Sequence, residues 1–125
     1  MYLISVRRDF IAQHFLIGGD WGPENQLHSH PYQVEVQLEG ESLNQHGYLV
    51  DILQVEAALD AQVARFKDKN LNEMPEFSGL NPSLEQFSRI LCQAILARLP
   101  GLNLRRITLR LWENENAWAA YLQEL

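Results

Sequence analysis

A single cysteine, Cys92, excludes any disulfide within the chain and fits a reducing compartment. Long apolar runs are missing as well. None approaches the ~20 residues that span a bilayer, and the chain shows no cleavable signal pattern, so it reads as soluble and cytoplasmic. Basic charge is scarce, with ten Lys and Arg against sixteen Asp and Glu and a formal net charge of -6. Nucleic acids and anionic membranes are held largely through clustered Lys and Arg, so neither is expected as a partner. The only basic pairs, Arg7-Arg8 and Arg105-Arg106, fall in strand-like segments whose neighbours point to opposite faces, and they read as solubilising charge. No linker, internal repeat or low-complexity tract interrupts the 125 residues, which suit one domain over 1-125.

What the chain does have is a change of period. Tyr2 to Phe15 mixes β-branched, aromatic and polar residues and runs into the turn-rich Gly18-Gly19-Asp20-Trp21-Gly22-Pro23. A second strand, about His30 to Leu43, alternates apolar and polar residues and ends at Asn44-Gln45-His46-Gly47. Ile52, Val55, Leu59, Val63 and Phe66 then follow spacings of three and four, a helix whose start pairs Asp51 with Gln54 as a capping box. A loop from about Lys67 to Pro82 leads to a second helix. Ser83 caps it, Leu84, Phe87, Leu91, Ile95 and Leu99 make its buried stripe, and Pro100-Gly101 ends it. Alternation returns at Arg106 to Leu111, and Ala117 to Leu122 follows a tight turn. The order ββααββ predicts an α+β domain, a four-stranded antiparallel sheet with two helices on one face. Its two open edges and bare second face predict association with further copies.

His28 and His30 lie two apart at the mouth of the second strand and so share a face. With His14 from the first strand they supply what a three-His zinc site needs, leaving a fourth position for water or substrate. Glu113 continues the face of Ile107, Leu109 and Leu111, where an apolar residue would be expected. A carboxylate there needs a partner, because burying a charge is costly, and a ligand with adjacent N-H donors such as an amino-pyrimidinone ring would serve. Alternatively the strand ends at Trp112 and Glu113 is solvated. His46 sits in a Gly-containing turn and reads as exposed.

Phe10 to His14, Leu27-His28-Ser29-His30-Pro31-Tyr32, Gly47 to Asp51, Leu71-Asn72, Asn81-Pro82-Ser83-Leu84-Glu85 and Trp112-Glu113 with Ala120-Tyr121 together resemble, in order and spacing, the 6-pyruvoyltetrahydropterin synthase and 6-carboxytetrahydropterin synthase family. The resemblance implies the tunnelling fold, in which subunits close their sheets into a barrel as trimers that stack into a homohexamer, with pterin sites at subunit interfaces. It implies zinc on His14, His28 and His30, a pterin ring gripped by Glu113, and a pocket lined by Ser83 and Glu85. The chemistry implied is that of a lyase on 7,8-dihydroneopterin triphosphate, in deazaguanine (queuosine), folate or biopterin synthesis.

Two positions depart from the family pattern. The cysteine usual four residues before the first His of the pair is replaced by Glu24, and the usual Asp-His pair before Leu-Asn falls on Lys67-Asp68, so the relay histidine is absent. Cys92 is no substitute, since helical spacing places it in the core. Glu24 is the expected base, with Asp68 next in line. Some family members with glutamate at that place are linked to side-chain cleavage to 6-hydroxymethyl-dihydropterin, an aldolase-like outcome that the resemblance implies as an alternative here. Two other readings compete: a pterin- or purine-binding protein without catalysis, and a zinc hydrolase in which Glu24 activates a metal-bound water.

Overall fold

The computed structural model describes residues 1-99, 101 and 103-125. Its elements are β1 (Tyr2–His14), β2 (His28–Gly40), α1 (Ile52–Phe66), α2 (Leu84–Leu96), β3 (Arg106–Asn114) and β4 (Ala117–Glu124). The strands form one antiparallel sheet in the order β1-β2-β3-β4, and both helices pack on the same side of it. This is the predicted ββααββ architecture. β2 begins and ends earlier than its own alternation suggests, because its limits are set by its partner: the ladder runs from His14 opposite His28 to Tyr2 opposite Gly40.

Alternation assigns the two faces. Tyr32, Val34, Val36 and Leu38 point to the helices, and across the ladder Leu111, Leu109 and Ile107 meet Val34, Val36 and Leu38. All seven are at most 2% exposed. The centre of the core is aromatic. Phe87 on α2 touches Phe10, Tyr32, Phe66 and Phe77 with ring centroids 5.2 to 5.9 Å apart, at the edge-to-face angles such rings prefer.

In α1 the Asp51 carboxylate accepts from the Leu53 N-H, so Asp51 caps the helix through Leu53 and the expected reciprocal pair with Gln54 does not form. The buried stripe is Val55, Ala58, Leu59, Gln62 and Phe66, while Ile52 at the first turn faces out. In α2 the Ser83 hydroxyl accepts from the Gln86 N-H at 3.1 Å, as expected, and Phe87, Leu91 and Ile95 are buried. The helix ends at Leu96, and Pro100, expected to stop it, lies outside the described residues.

Among the described residues no helix covers the second face of the sheet, as predicted, and that face carries ion pairs between its own strands. Glu35 receives hydrogen bonds from Ser5 at 2.6 Å and Arg110 at 2.9 Å, and Arg106 grips Glu39 through two nitrogens at 2.7 and 3.1 Å. Burial opposes charge on Glu35, but these donors and nearby Arg7 outweigh it and hold its carboxyl below the usual range. On the other face Arg8 bonds Glu56 and Asp60 of α1. Arg7, Arg8 and Arg106, expected from sequence as solubilising charge, also pair with carboxylates of the sheet and of α1.

The two edges of the sheet are not both fully open. The Asp68 N-H donates to the Ile11 carbonyl at 2.7 Å and the Gln13 N-H to the Lys69 carbonyl at 2.9 Å, which covers the end of β1 beside His14. Residues 2-10 of β1 and the outer edge of β4 have no strand neighbour among the described residues.

Cys92 is wholly buried in α2, and burial pushes its thiol up to about 12. Native protein should resist alkylation by iodoacetamide. Cys92→Ala should lower stability by about 1 kcal/mol, the scale of one deleted buried methyl-sized group, and leave activity unchanged. Rapid labelling in the folded state would contradict the core assignment.

Candidate metal and pterin site

The paired ends of β1 and β2 bring the histidines together. His14 stands directly opposite His28, with His30 two residues further along the same face. The three rings are 4.6 to 4.8 Å apart, centroid to centroid. Two strands in a ladder hold their Cβ atoms rigidly, so the cluster exists without help from a loop. His14 is 3% exposed. Its burial, with the charges His30 and His28 would carry, lowers its pKa to about 4, so it is a neutral imidazole at neutral pH.

The hydrogen bonds behind the rings decide which nitrogens face inward. His28 Nδ1 is 2.7 Å from the Gln26 carbonyl, which can only accept, so Nδ1 carries the proton and Nε2 presents its lone pair. His14 Nδ1 is 2.9 Å from the Tyr32 hydroxyl, and a proton on that nitrogen likewise frees Nε2. Tyr32 is kept protonated, since burial and then the carboxylates of Glu113 and Glu24 push its pKa far above the ordinary range. Backing of this kind orients histidines that bind metals.

Glu24 faces the same cluster. It lies in a short 3-10 turn, Gly22–Asn25, and its Oε2 is 2.8 Å from His28 Nε2 and 4.0 Å from His30 Nε2. Its backbone closes the turn, the Glu24 N-H donating to the Trp21 carbonyl, while its side chain reaches the histidines. Asn25 fixes the segment, with its side-chain amide donating to the Leu16 and Gly19 carbonyls at 3.0 Å and its oxygen accepting from the Trp21 N-H at 2.7 Å. One atom from each of His14, Glu24, His28 and His30 lies within 4.8 Å of all the others. Nitrogen and carboxylate oxygen donors converging in this way fit zinc, and that donor chemistry is the test the residues pass.

Beside the cluster is a cavity of about 340 Å³ lined by His14, Trp21, Glu24, Ser83, Glu85 and Glu113, among others. Strand β3 does not end at Trp112. It continues past a bulge between Trp112 and Asn114, where Glu113 is turned toward the histidines with Oε2 3.9 Å from His30 Nε2. This is the inward face that alternation from Ile107, Leu109 and Leu111 predicts for Glu113. Ser83 and Glu85 enter from the first turn of α2.

Asp68 is placed elsewhere. It lines a separate cavity of about 440 Å³ with Asp9, Phe10, Ile11, Pro31, Tyr32 and Lys67, and its backbone sits at φ 60°. Its N-H is committed to the outer edge of β1, so within one chain the expected reserve base is not brought to the histidines. His46 is exposed beside Gln45, as expected. Sequence reasoning missed the roles of the supporting residues. Tyr32, Asn72 and Asn81 stand in the motifs that carry the family resemblance without a role assigned to them, Trp21 only in a turn, and Asn25 in no motif. Asn72, whose amide bonds both the N-H and carbonyl of Phe15, and Asn81, which accepts from the Ile17 N-H, tether the chain leaving His14.

The family model for 6-pyruvoyl tetrahydropterin synthase matches residues 3-124. The chain is similar to the dihydroneopterin monophosphate aldolase of Pyrococcus furiosus, 32% identical over 111 residues that cover 88% of each. Among solved structures, the 6-pyruvoyl tetrahydropterin synthase of Caenorhabditis elegans superimposes with a TM-score of 0.79 at 20% identity, over 97% of this chain and 96% of that one. The Plasmodium falciparum enzyme does so with a TM-score of 0.82 at 13% identity, over 99% and 98%. The fold is therefore the tunnelling fold, and among the described residues no helix is long and apolar enough to cross a membrane. A match that runs from the first strand to the last, through the paired histidines and the bulged glutamate, shows that this chain belongs to the 6-pyruvoyl tetrahydropterin synthase family.

Proposed function

We propose that the protein is a zinc-dependent lyase that cleaves the side chain of a phosphorylated 7,8-dihydroneopterin to 6-hydroxymethyl-dihydropterin. The observation that carries this reading is the Glu24 carboxylate 2.8 Å from His28 Nε2, a proton acceptor beside the metal-ligand set where the family usually has a thiol. The name of the Pyrococcus furiosus relative, an aldolase, supports the same outcome.

Zinc held by His14, His28 and His30 would act as a Lewis acid that lowers the pKa of substrate hydroxyls. The chain's own residues do the rest. Glu113 accepts from adjacent N-H groups of the pterin ring, which sets the side chain toward Glu24 in the same cavity. Glu24 takes the proton of the hydroxyl on the second side-chain carbon. The bond between the first and second carbons breaks, and an aldehyde bearing the remaining carbons leaves. The electron pair passes to the first carbon and into the adjacent ring imine, and a proton then returns to that carbon. Trp21, Ser83 and Glu85 line the cavity in which the side chain would lie.

The family model favours a second outcome, elimination of the phosphate to a 6-pyruvoyl or 6-carboxy product. Incubating the zinc-loaded protein with dihydroneopterin triphosphate and monophosphate distinguishes them. 6-Hydroxymethyl-dihydropterin with an aldehyde is expected, and release of inorganic phosphates with a pyruvoyl or carboxy pterin would overturn the cleavage reading. Pterin binding without turnover would make this a binding protein. Glu113→Ala should weaken pterin binding by roughly 10- to 100-fold, since hydrogen bonds to a charged group contribute ~1.5–3 kcal/mol. Fluorescence titration with the pterin product measures this, and unchanged affinity would remove Glu113 from the site.

Assembly is part of the proposal. The uncovered residues 2-10 of β1 and the eight residues of β4 are edges of matching length, able to join neighbouring sheets into the barrel of a homohexamer. Light scattering should give a mass near six chains of 14.4 kDa, and the mass of one chain would contradict closure.

A further inference from the structure

We infer that Glu24 is itself the fourth ligand of the resting metal site and is displaced by the substrate's hydroxyls, so that one carboxylate serves in turn as ligand and as base. The inference rests on reading the three histidines as metal ligands.

Its first support is the donor set. The ion-pair partners of Glu24 are His28 and His30, and no lysine or arginine is among them in the described residues. His28 already gives the proton on Nδ1 to the Gln26 carbonyl, so the atom it turns to Glu24 is a lone pair unless the ring is cationic. Inward-facing imidazole nitrogens and a carboxylate oxygen converge on one point, and a divalent cation there satisfies all of them.

Its second support is the contrast in how the ligands are held. His14, His28 and His30 stand on paired strands, with side chains of His28 and His30 only 23% and 18% exposed. The Glu24 side chain is 49% exposed, on a turn with no buried residue. Its backbone is anchored, the Leu16 N-H donating to the Glu24 carbonyl at 2.8 Å. Only the side chain needs to swing, about its own torsions. Three fixed ligands and one exposed, rotatable ligand make a site that is closed to water at rest yet can open one position, which a catalytic zinc requires. A ligand offering two neighbouring hydroxyl oxygens replaces the carboxylate best, and the released carboxylate is left beside the hydroxyl it must deprotonate.

The test uses metal alone, before any turnover. Zinc affinity, measured by competition with a chromogenic chelator, should be at least ~10-fold weaker in Glu24→Ala, the loss that even an outer-sphere partner of a metal ligand can cause. Glu24→Gln, which keeps the shape, should weaken it as well. With cobalt(II) in place of zinc, the visible band of the wild type should change in Glu24→Ala, and adding dihydroneopterin should change the wild-type band toward that of its complex with Glu24→Ala. Wild-type zinc affinity in both variants, with an unchanged cobalt spectrum, would overturn the inference while leaving the three-His site standing. Failure of the wild type to bind either metal would remove that site and the inference with it.

Discussion

Replacing His28 or His30 with alanine should strip the protein of its metal. Apparent zinc binding free energies of roughly 10–16 kcal/mol in four-ligand peptide sites correspond to ~3 kcal/mol per ligand, or ~100-fold in affinity. Purified wild-type protein should carry one zinc per chain and each variant almost none by elemental analysis. Both side chains are partly exposed at the end of the sheet, so the core of Phe10, Tyr32 and Phe87 remains and the variants should fold. A comparison with His46→Ala controls for general loss of imidazole, because His46 is exposed in a turn away from the cluster. Unchanged metal content in both site variants would sink the three-His assignment.

Glu24→Gln, assayed with zinc held saturating, should slow turnover by roughly the 100- to 10,000-fold that general-base catalysis contributes. The amide occupies the same space but accepts no proton from the substrate hydroxyl. Saturating metal separates this loss from any effect on zinc affinity. Glu24→Cys is the sharper experiment, because it restores the residue usual in the family. It should shift the product partly toward the pyruvoyl or carboxy form, the relay histidine still being absent at Lys67-Asp68. Wild-type turnover in Glu24→Gln would place the base elsewhere. Asp68 could serve only if a neighbouring copy brought its separate cavity to the histidines.

The sequence determined the parts of this protein that depend on period and local chemistry. Alternation in β2 and β3 and the three-and-four spacing of α2 specify the buried faces, because a side chain's direction follows from backbone geometry alone. His28 and His30 share a face for the same reason, and Ser83 caps α2 because its hydroxyl needs only the N-H three residues on. The tertiary structure decided what depends on partners far along the chain. It set the ends of β2 through the ladder with β1, committed Arg7, Arg8 and Arg106 to distant carboxylates, and covered part of an edge that looked open. It also carried Glu24 to the histidines on a loop and kept Asp68 in a separate cavity. None of these is encoded in a repeat of two or of three to four residues. Each results from strand pairing or loop closure that brings remote groups within hydrogen-bond reach.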